Sequence, residues 1–480
     1  MNYSLMIPEY ILAGFAALVV ALDLWMPRLR QDILAYVTAA AAIGVLLISL
    51  AYLTTTESFA GLFQIDHYTT FFRIFFLGAA AFIGVYSAQY LGKAKIRNAG
   101  EYYGIVLLAT IGAIGMASAT ELLTAYISLE LLSFGLYVLI SFNKLEEKSN
   151  EAGLKYLLLG GFSSAMFLYG LSLIYGATKS TSYAAIATAL HNAPGNLNFA
   201  LLMGFVLIIA GIGFKISAVP FHMATPDAYE GAPTPITAFL SITSKAAGFA
   251  LLLRLFGTAF LPMIDQWRWM IALLAALTMT FGNLVAIQQH NMKRLLAYSS
   301  IGQVGYLLIG IAAMAPDSAS ALLVHLAGYA VTNLVVFGAV IAIYNQTGTD
   351  EIPDYYGMAD RQPFLALVLT IGLFSLAGLP LFAGFFTKFL LFQAGALHGM
   401  LWLTGFAVVN SMISLYYYLL VIKQLYLGDA DRERPRFSLP VIWNGALGIG
   451  MIAIFFIGIW PFPLLKAADK AVSVIFTRTA

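Results

Sequence analysis

Long apolar runs dominate the chain, and short polar stretches separate them. A bilayer span needs about 20 largely apolar residues, and scanning at that length yields about 14 segments. They cover approximately 5–26, 33–54, 67–91, 101–119, 121–142, 150–176, 197–218, 235–258, 266–287, 293–315, 319–345, 362–396, 401–427 and 440–461. These runs are rich in Leu, Ala and Gly and too long for barrel strands, so the pattern predicts an all-α polytopic membrane protein. The stretch MNYSLMIPEYILAGFAALVVALDLWMP at the N-terminus has no basic leader and a long apolar core, and it reads as a first span rather than a cleaved signal. The longest polar gap falls at 177–196.

Two runs are interrupted. After Lys215 come Pro220, Pro226, Pro233 and Pro235, and the run FSLAGLPLFAGFFTKF contains Gly378, Pro380 and Gly384. Interrupted helices in corresponding positions point to an internal repeat and to a transport site. The division expected on this basis is an N-terminal three-helix segment (1–100), a first repeat (101–258), a second repeat (259–428) and a last helix with a short tail (429–480).

Composition agrees with lipid as the main solvent. The 480 residues are 61% hydrophobic and 10% charged, against about 25% charged in a soluble domain, and the mean hydropathy is +0.85. A net charge of +2 without a basic block gives no footing for nucleic acid. The absence of cysteine excludes disulfides, thiolate zinc sites and cysteine-ligated iron–sulfur clusters in this chain. No residues suggest another metal site.

Lys and Arg set an orientation. With the N-terminus outside, the inner loops carry Arg28, Arg30, Lys93, Lys95, Arg97, Lys144, Lys148, Lys293, Arg294, Arg361, Arg432, Arg434 and Arg436. The outer side carries Lys179, Arg268, Lys466, Lys470 and Arg478. The positive-inside rule therefore places both termini outside.

The chemistry lies in ionisable residues within the spans: Glu130 in AYISLELLSFGLYV, Lys155 in EAGLKYLLLGG, Lys215 at the first interruption, Lys245 in FLSITSKAAGFALLL and Lys388 at the second. A lysine at the bilayer centre costs roughly 2.5–3.5 kcal/mol, and four cost on the order of 10 kcal/mol, comparable with a protein's whole net stability. Burial disfavours an ammonium and a nearby carboxylate favours it. At about 5 Å and an effective dielectric near 20, a Glu–Lys pair is worth roughly 3 kcal/mol. Making or breaking a pair such as Glu130–Lys215 would switch the lysine between holding and releasing a proton. The blander reading is a static ion pair that packs helices. Lys155 lies nearer a loop, where snorkelling competes with a relay role. His325 is an additional relay candidate, with a core hydrogen bond as its rival role. His222 reads as structural or loop-lining, with a relay as its rival role, Arg73 and Arg254 as lipid-head or inter-helix anchors, and Asp227 and Glu230 as loop-shaping residues. A scaffold alone leaves the buried lysines unexplained.

The stretches GFKISAVPFHMATPDAYEGAPTPITAFLSITSKAAGFALLLR, NLVAIQQHNMKRLLAYSSIGQVGYLLIG and LFSLAGLPLFAGFFTKF resemble the subunit N family of bacterial respiratory complex I, the NADH–quinone oxidoreductase. The resemblance runs from near Tyr10 to Pro461, and YEGAPTP after PFHMATPD is closer to subunit N than to the sister antiporter-like subunits. It implies 14 helices in two inverted five-helix repeats, with helices 7 and 12 broken. It also implies a proton-translocating role in which Glu130 and Lys215 form the switching pair. Lys155, Lys245 and Lys388 match the helix-6, central and exit lysines, and His325 falls where the family is less uniform. No cofactor is implied in this chain. The resemblance implies that flavin, iron–sulfur clusters and quinone belong to partner subunits; NADH is the family's usual electron donor, ferredoxin the donor of similar complexes in phototrophs, and the sequence does not distinguish them. The implied partners are the other membrane-arm subunits, sister antiporter-like chains among them, with the peripheral redox subunits engaged indirectly. The implied location is the bacterial inner membrane, or a thylakoid membrane in a phototroph. The alternative is a cation/proton antiporter subunit without redox partners.

Overall fold

The computed structural model describes residues 2–26, 31–192, 199–427 and 436–476. Arg28, Arg30, Arg432, Arg434 and Arg478, which entered the orientation count, lie outside the described residues. The apolar runs fold as helices: α1 (Ile7–Trp25), α2 (Gln31–Ser49), α3 (His67–Lys93), α4 (Ala99–Ser118), α5 (Leu122–Ile140), α6 (Glu147–Thr178), α7 (Tyr183–His191), α8 (Phe199–Ile216), α9 (Ala224–Gly231), α10 (Thr234–Phe239), α11 (Lys245–Thr258), α12 (Ile264–Ala286), α13 (Met292–Ala313), α14 (Pro316–Thr347), α15 (Met358–Arg361), α16 (Pro363–Ala377), α17 (Ala383–Leu397), α18 (Leu401–Tyr426), α19 (Val441–Ile459) and α20 (Phe462–Phe476). Among the described residues, 13 helices are long and apolar enough to cross a bilayer. The shorter α16 and α17 together occupy the run read as one span at 362–396.

Four local features depart from the sequence reading. The gap at 177–196 is not simply polar loop, because Tyr183, Ile186 and Leu190 line one buried face of α7. The run 235–258 is not a uniform α-helix: a five-residue π-turn, Leu240–Ser244, joins α10 to α11. A small antiparallel hairpin, Glu57–Phe59 with Phe63–Ile65, precedes α3. The short tail forms α20, whose Ala468, Ala471, Val472 and Ile475 are buried at helical spacing.

Burial grades from the middle outward. In the most apolar 18 residues of Thr234–Thr258 every residue is buried, in those of Met292–Ala313 94% are, and in those of Val441–Ile459 only 28% are. The central helices are thus sheathed by others, and the outer ones keep apolar faces for lipid or neighbouring chains. Close approach depends on small residues: a Cβ on Gly282 of α12 would lie 2.5 Å from the Gly302 backbone nitrogen of α13. Two buried ion pairs tie helices together. Arg73 of α3 meets Glu9 of α1 at 2.7 Å, and Arg254 of α11 meets Asp66, the N-cap of α3, at 2.9 Å. Both arginines are therefore inter-helix anchors, one of the two roles read from sequence.

Removing one partner of a buried pair costs about 3–5 kcal/mol, because the other charge is left uncompensated. Arg254→Ala is expected to strand Asp66 and to lower the melting temperature of the detergent-extracted protein. An unchanged melting curve would show that the pair holds nothing together.

Candidate functional site

The first interruption places Lys215. Helix α8 stops at Ile216, Ser217 takes a left-handed φ of 68°, and the chain restarts as α9 at Ala224. The freed backbone finds partners: the Ala218 N–H donates to the Gly213 carbonyl at 2.7 Å, and the Val219 N–H donates to Thr278 Oγ1 at 3.0 Å. Lys215, only 4% exposed, projects toward α5. Its Nζ donates to Ser133 Oγ at 2.9 Å, one turn beyond Glu130. Glu130 forms no ion pair with Lys215 among the described residues, and its Oε1 is buried without a hydrogen-bond partner. The expected pair is therefore adjacent but open, with a serine hydroxyl holding the lysine.

The π-turn ends at Lys245. Extra-wide turns of this kind occur mostly singly and often at functional sites. Lys245 is 2% exposed, its Nζ donates to Ser300 Oγ on α13, and it lies 5.6 Å from the Tyr229 ring centroid. Ser300 Oγ also receives Tyr329 OH at 2.9 Å and shares a hydrogen bond with Tyr229 OH at 3.2 Å.

The second interruption places Lys388. Helix α16 ends at Ala377 and is capped by Gly378 at φ 87°. Gly384, two residues into α17, lies so close that a Cβ there would sit 1.7 Å from the Ser375 carbonyl oxygen. Lys388 reaches back across the break and donates to the Leu376 carbonyl at 2.8 Å. It therefore sits at the negative end of a half-helix, where a cation is stabilised. Ser411 Oγ lies at 3.4 Å and the Tyr306 ring centroid at 5.0 Å. Gln303 donates to the same Leu376 carbonyl at 3.1 Å. His325 of α14 places Nδ1 3.0 Å from Thr387 Oγ1, beside Lys388 in sequence, while its buried Nε2 has no partner.

Lys155 stands apart from this row. Its side chain is 45% exposed and pairs with Glu151 and Asp227, each at 2.7 Å. Asp227 also meets Arg294 at 2.9 Å, and Glu230 meets Arg294 at 2.9 Å and Lys148 at 2.8 Å. These carboxylates do more than shape a loop: they latch α9 to α6 and α13. The reading from sequence treated Arg294 only as a loop cation and did not identify Ser133, Ser300, Gln303, Tyr229, Tyr306 or Tyr329. A signal was available. Ser300, Gln303 and Tyr306 recur every three residues on α13, and His325, Tyr329 and Thr332 recur at three- and four-residue steps on α14, which marks one polar stripe per helix.

The family description "NADH:quinone oxidoreductase/Mrp antiporter, TM" matches residues 119–414. The chain is 41% identical to NADH-quinone oxidoreductase subunit N of Trichlorobacter lovleyi over 99% of this chain and 98% of that one. The chain belongs to this antiporter-like membrane family. Among solved structures, a chain of respiratory complex I from Thermus thermophilus with bound aureothin is similar at a TM-score of 0.80 and 30% identity, covering 97% of this chain and 100% of that one. A chain of the Mrp complex from Dietzia sp. shares the fold at a TM-score of 0.87 and 19% identity, with 100% and 98% covered. The six relay candidates read from sequence, Glu130, Lys155, Lys215, Lys245, His325 and Lys388, fall inside the matched region, as do both interruptions.

The α9 latch has a pH dependence of known sign. Burial alone would raise the Asp227 and Glu230 carboxyls, but hydrogen bonds from Lys155 and Arg294, and from Lys148 and Arg294, hold them below their ordinary values of 3.8 and 4.5. Their contribution is complete above those ordinary values and is lost as pH falls through the depressed ones. Hydrogen exchange in 224–231 is therefore expected to stay flat from neutral pH down to about 5 and to rise only in stronger acid. A rise already between about pH 7 and 5 would show that the carboxylates are not what holds α9.

Proposed function

We propose that this subunit moves protons across the bacterial inner membrane within a quinone-reducing, complex I-type enzyme, driven by electron transfer in partner subunits. The observation that carries this reading is the row of Lys215, Lys245 and Lys388. Each is at most 4% exposed, and each is held by hydroxyl or carbonyl oxygens with no carboxylate ion pair among the described residues. Burying a charge without a counter-ion is costly. Such an amine can gain or lose its proton when a neighbouring charge moves, and Glu130, adjacent but unpaired, supplies a charge that can move. In this reading Glu130 and Lys215 form the switch, Lys245 the central carrier and Lys388 the exit group. His325 is an additional relay group beside Lys388, and Lys155 tunes the switch from outside through Asp227. The half-helix carbonyl that holds Lys388 supports an end-point role.

The repeats at 101–258 and 259–428 would each contribute one interrupted helix. Both termini would face the outer side. Flavin, iron–sulfur clusters and quinone would be held by partner subunits, with other membrane-arm chains covering part of the exposed apolar surface. The shared fold with an Mrp chain favours a second reading, exchange of Na⁺ or K⁺ for H⁺ without redox partners.

Gentle extraction from native membranes separates the two. Co-migration with cysteine-rich, quinone-reducing subunits supports the first reading, and migration only with antiporter-like chains supports the second. Within the assembled complex, Lys245→Ala is expected to lower the protons moved per electron without loss of assembly, and Glu130→Ala is expected to do so more strongly than Arg254→Ala. Normal pumping by an assembled Lys245→Ala complex would remove Lys245 from the path.

A further inference from the structure

We infer that Ser300, together with Tyr329, is the hydroxyl link that carries the proton from Lys245 into the second half of the subunit. This inference rests on the proton-carrying reading above. Three groups from three different helices converge on one oxygen: Lys245 Nζ from α11, Tyr229 OH from α9 and Tyr329 OH from α14. All are buried.

Hydrogen-bond counting makes this oxygen a switch. A serine hydroxyl has one proton to donate and two lone pairs. With Lys245 charged, its ammonium can only donate, so Ser300 accepts from it and directs its own proton to a tyrosine. With Lys245 neutral, the amine offers a lone pair, Ser300 can turn its proton to it, and both tyrosines can donate to Ser300. The protonation state of Lys245 is thereby written into the direction of hydroxyls on α9 and α14.

The same arrangement supports transfer. A Lys245 N–H bond breaks as an O–H bond forms on Ser300. Tyr329, which donates to Ser300 in this arrangement, turns its O–H away from Ser300, the original Ser300 proton passes to the Tyr329 oxygen, and the original Tyr329 proton passes through a bridging water to His325, whose Nε2 makes no direct hydrogen bond. Lysine ends neutral, serine and tyrosine each end neutral with one proton, and the positive charge has moved onward. His325 lies one turn earlier than Tyr329 on α14. Thr387 Oγ1 donates to the Gly384 carbonyl and so has lone pairs free for an N–H at His325 Nδ1. That tautomer leaves the partnerless Nε2 as the acceptor.

The test uses the whole complex in proteoliposomes, measuring protons moved per electron, the solvent deuterium isotope effect on proton movement, and assembly on native gels. Ser300→Ala and Tyr329→Phe are expected to assemble and to lower the proton-to-electron ratio as far as Lys245→Ala does. Ser300→Thr, which keeps a hydroxyl, is expected to restore both the ratio and the isotope effect. A normal ratio in Ser300→Ala beside a lowered ratio in Lys245→Ala overturns the link but leaves the subunit's proposed function standing. Normal ratios in both overturn that function as well. If Ser300→Ala fails to assemble, Tyr329→Phe decides alone, and a normal ratio there overturns the link. Failure of Ser300→Thr to restore the ratio in an assembled complex shows a packing role and also overturns it.

Discussion

The structure is organised around the difficulty of keeping an ammonium group inside a low-dielectric bundle. An isolated buried charge is poorly tolerated, and in practice it is paired, hydrogen-bonded or neutralised. The fold meets this at each of three lysines by a different device. Lys215 rests on a serine one turn from an unpaired glutamate, Lys245 follows a π-turn and rests on a serine shared with two tyrosines, and Lys388 caps the open carbonyl end of a half-helix. In each case the partner is neutral, so the charge is stabilised without being locked.

The interruptions follow from the same constraint. A continuous helix in lipid uses its backbone groups internally and leaves none for a side chain. Stopping α16 at Gly378 exposes the Leu376 carbonyl, which both Lys388 and Gln303 then use. Stopping α8 at Ile216 frees a segment that is held by Thr278 and continues into α9. The carboxylates of α9 meet basic residues of α6 and α13 on one face, while Tyr229 on the other reaches Ser300. One short helix thus touches both the half-exposed ionic latch and the buried polar row, a physical route by which charge at one could be felt at the other.

The buried charges named above divide into two kinds. Arg73–Glu9 and Arg254–Asp66 are closed, buried and distant in sequence, as anchors require. The lysine row contains no such closed pair among the described residues. A closed pair fixes one arrangement, whereas an open row permits more than one, and this separates residues that hold the bundle from those that could carry protons.

The pattern of apolar runs by itself determined the helical membrane class, the spans to within a few residues and the places where two runs break, because lipid imposes a length and a polarity that can be read linearly. The identities Glu130, Lys215, Lys245 and Lys388 were legible for the same reason, since a charge within an apolar run stands out against its neighbours. Only the tertiary structure decided what each charge meets. That Lys155 faces outward onto Asp227, that Glu130 and Lys215 are adjacent but unpaired, and that Ser300 gathers three donors and acceptors depend on helix rotation and on contacts between residues far apart in sequence. Serine and tyrosine within apolar helices carry no charge penalty, so in a linear reading they show only as a faint polar stripe on α13 and α14, and the tertiary structure alone shows three groups meeting at the Ser300 oxygen.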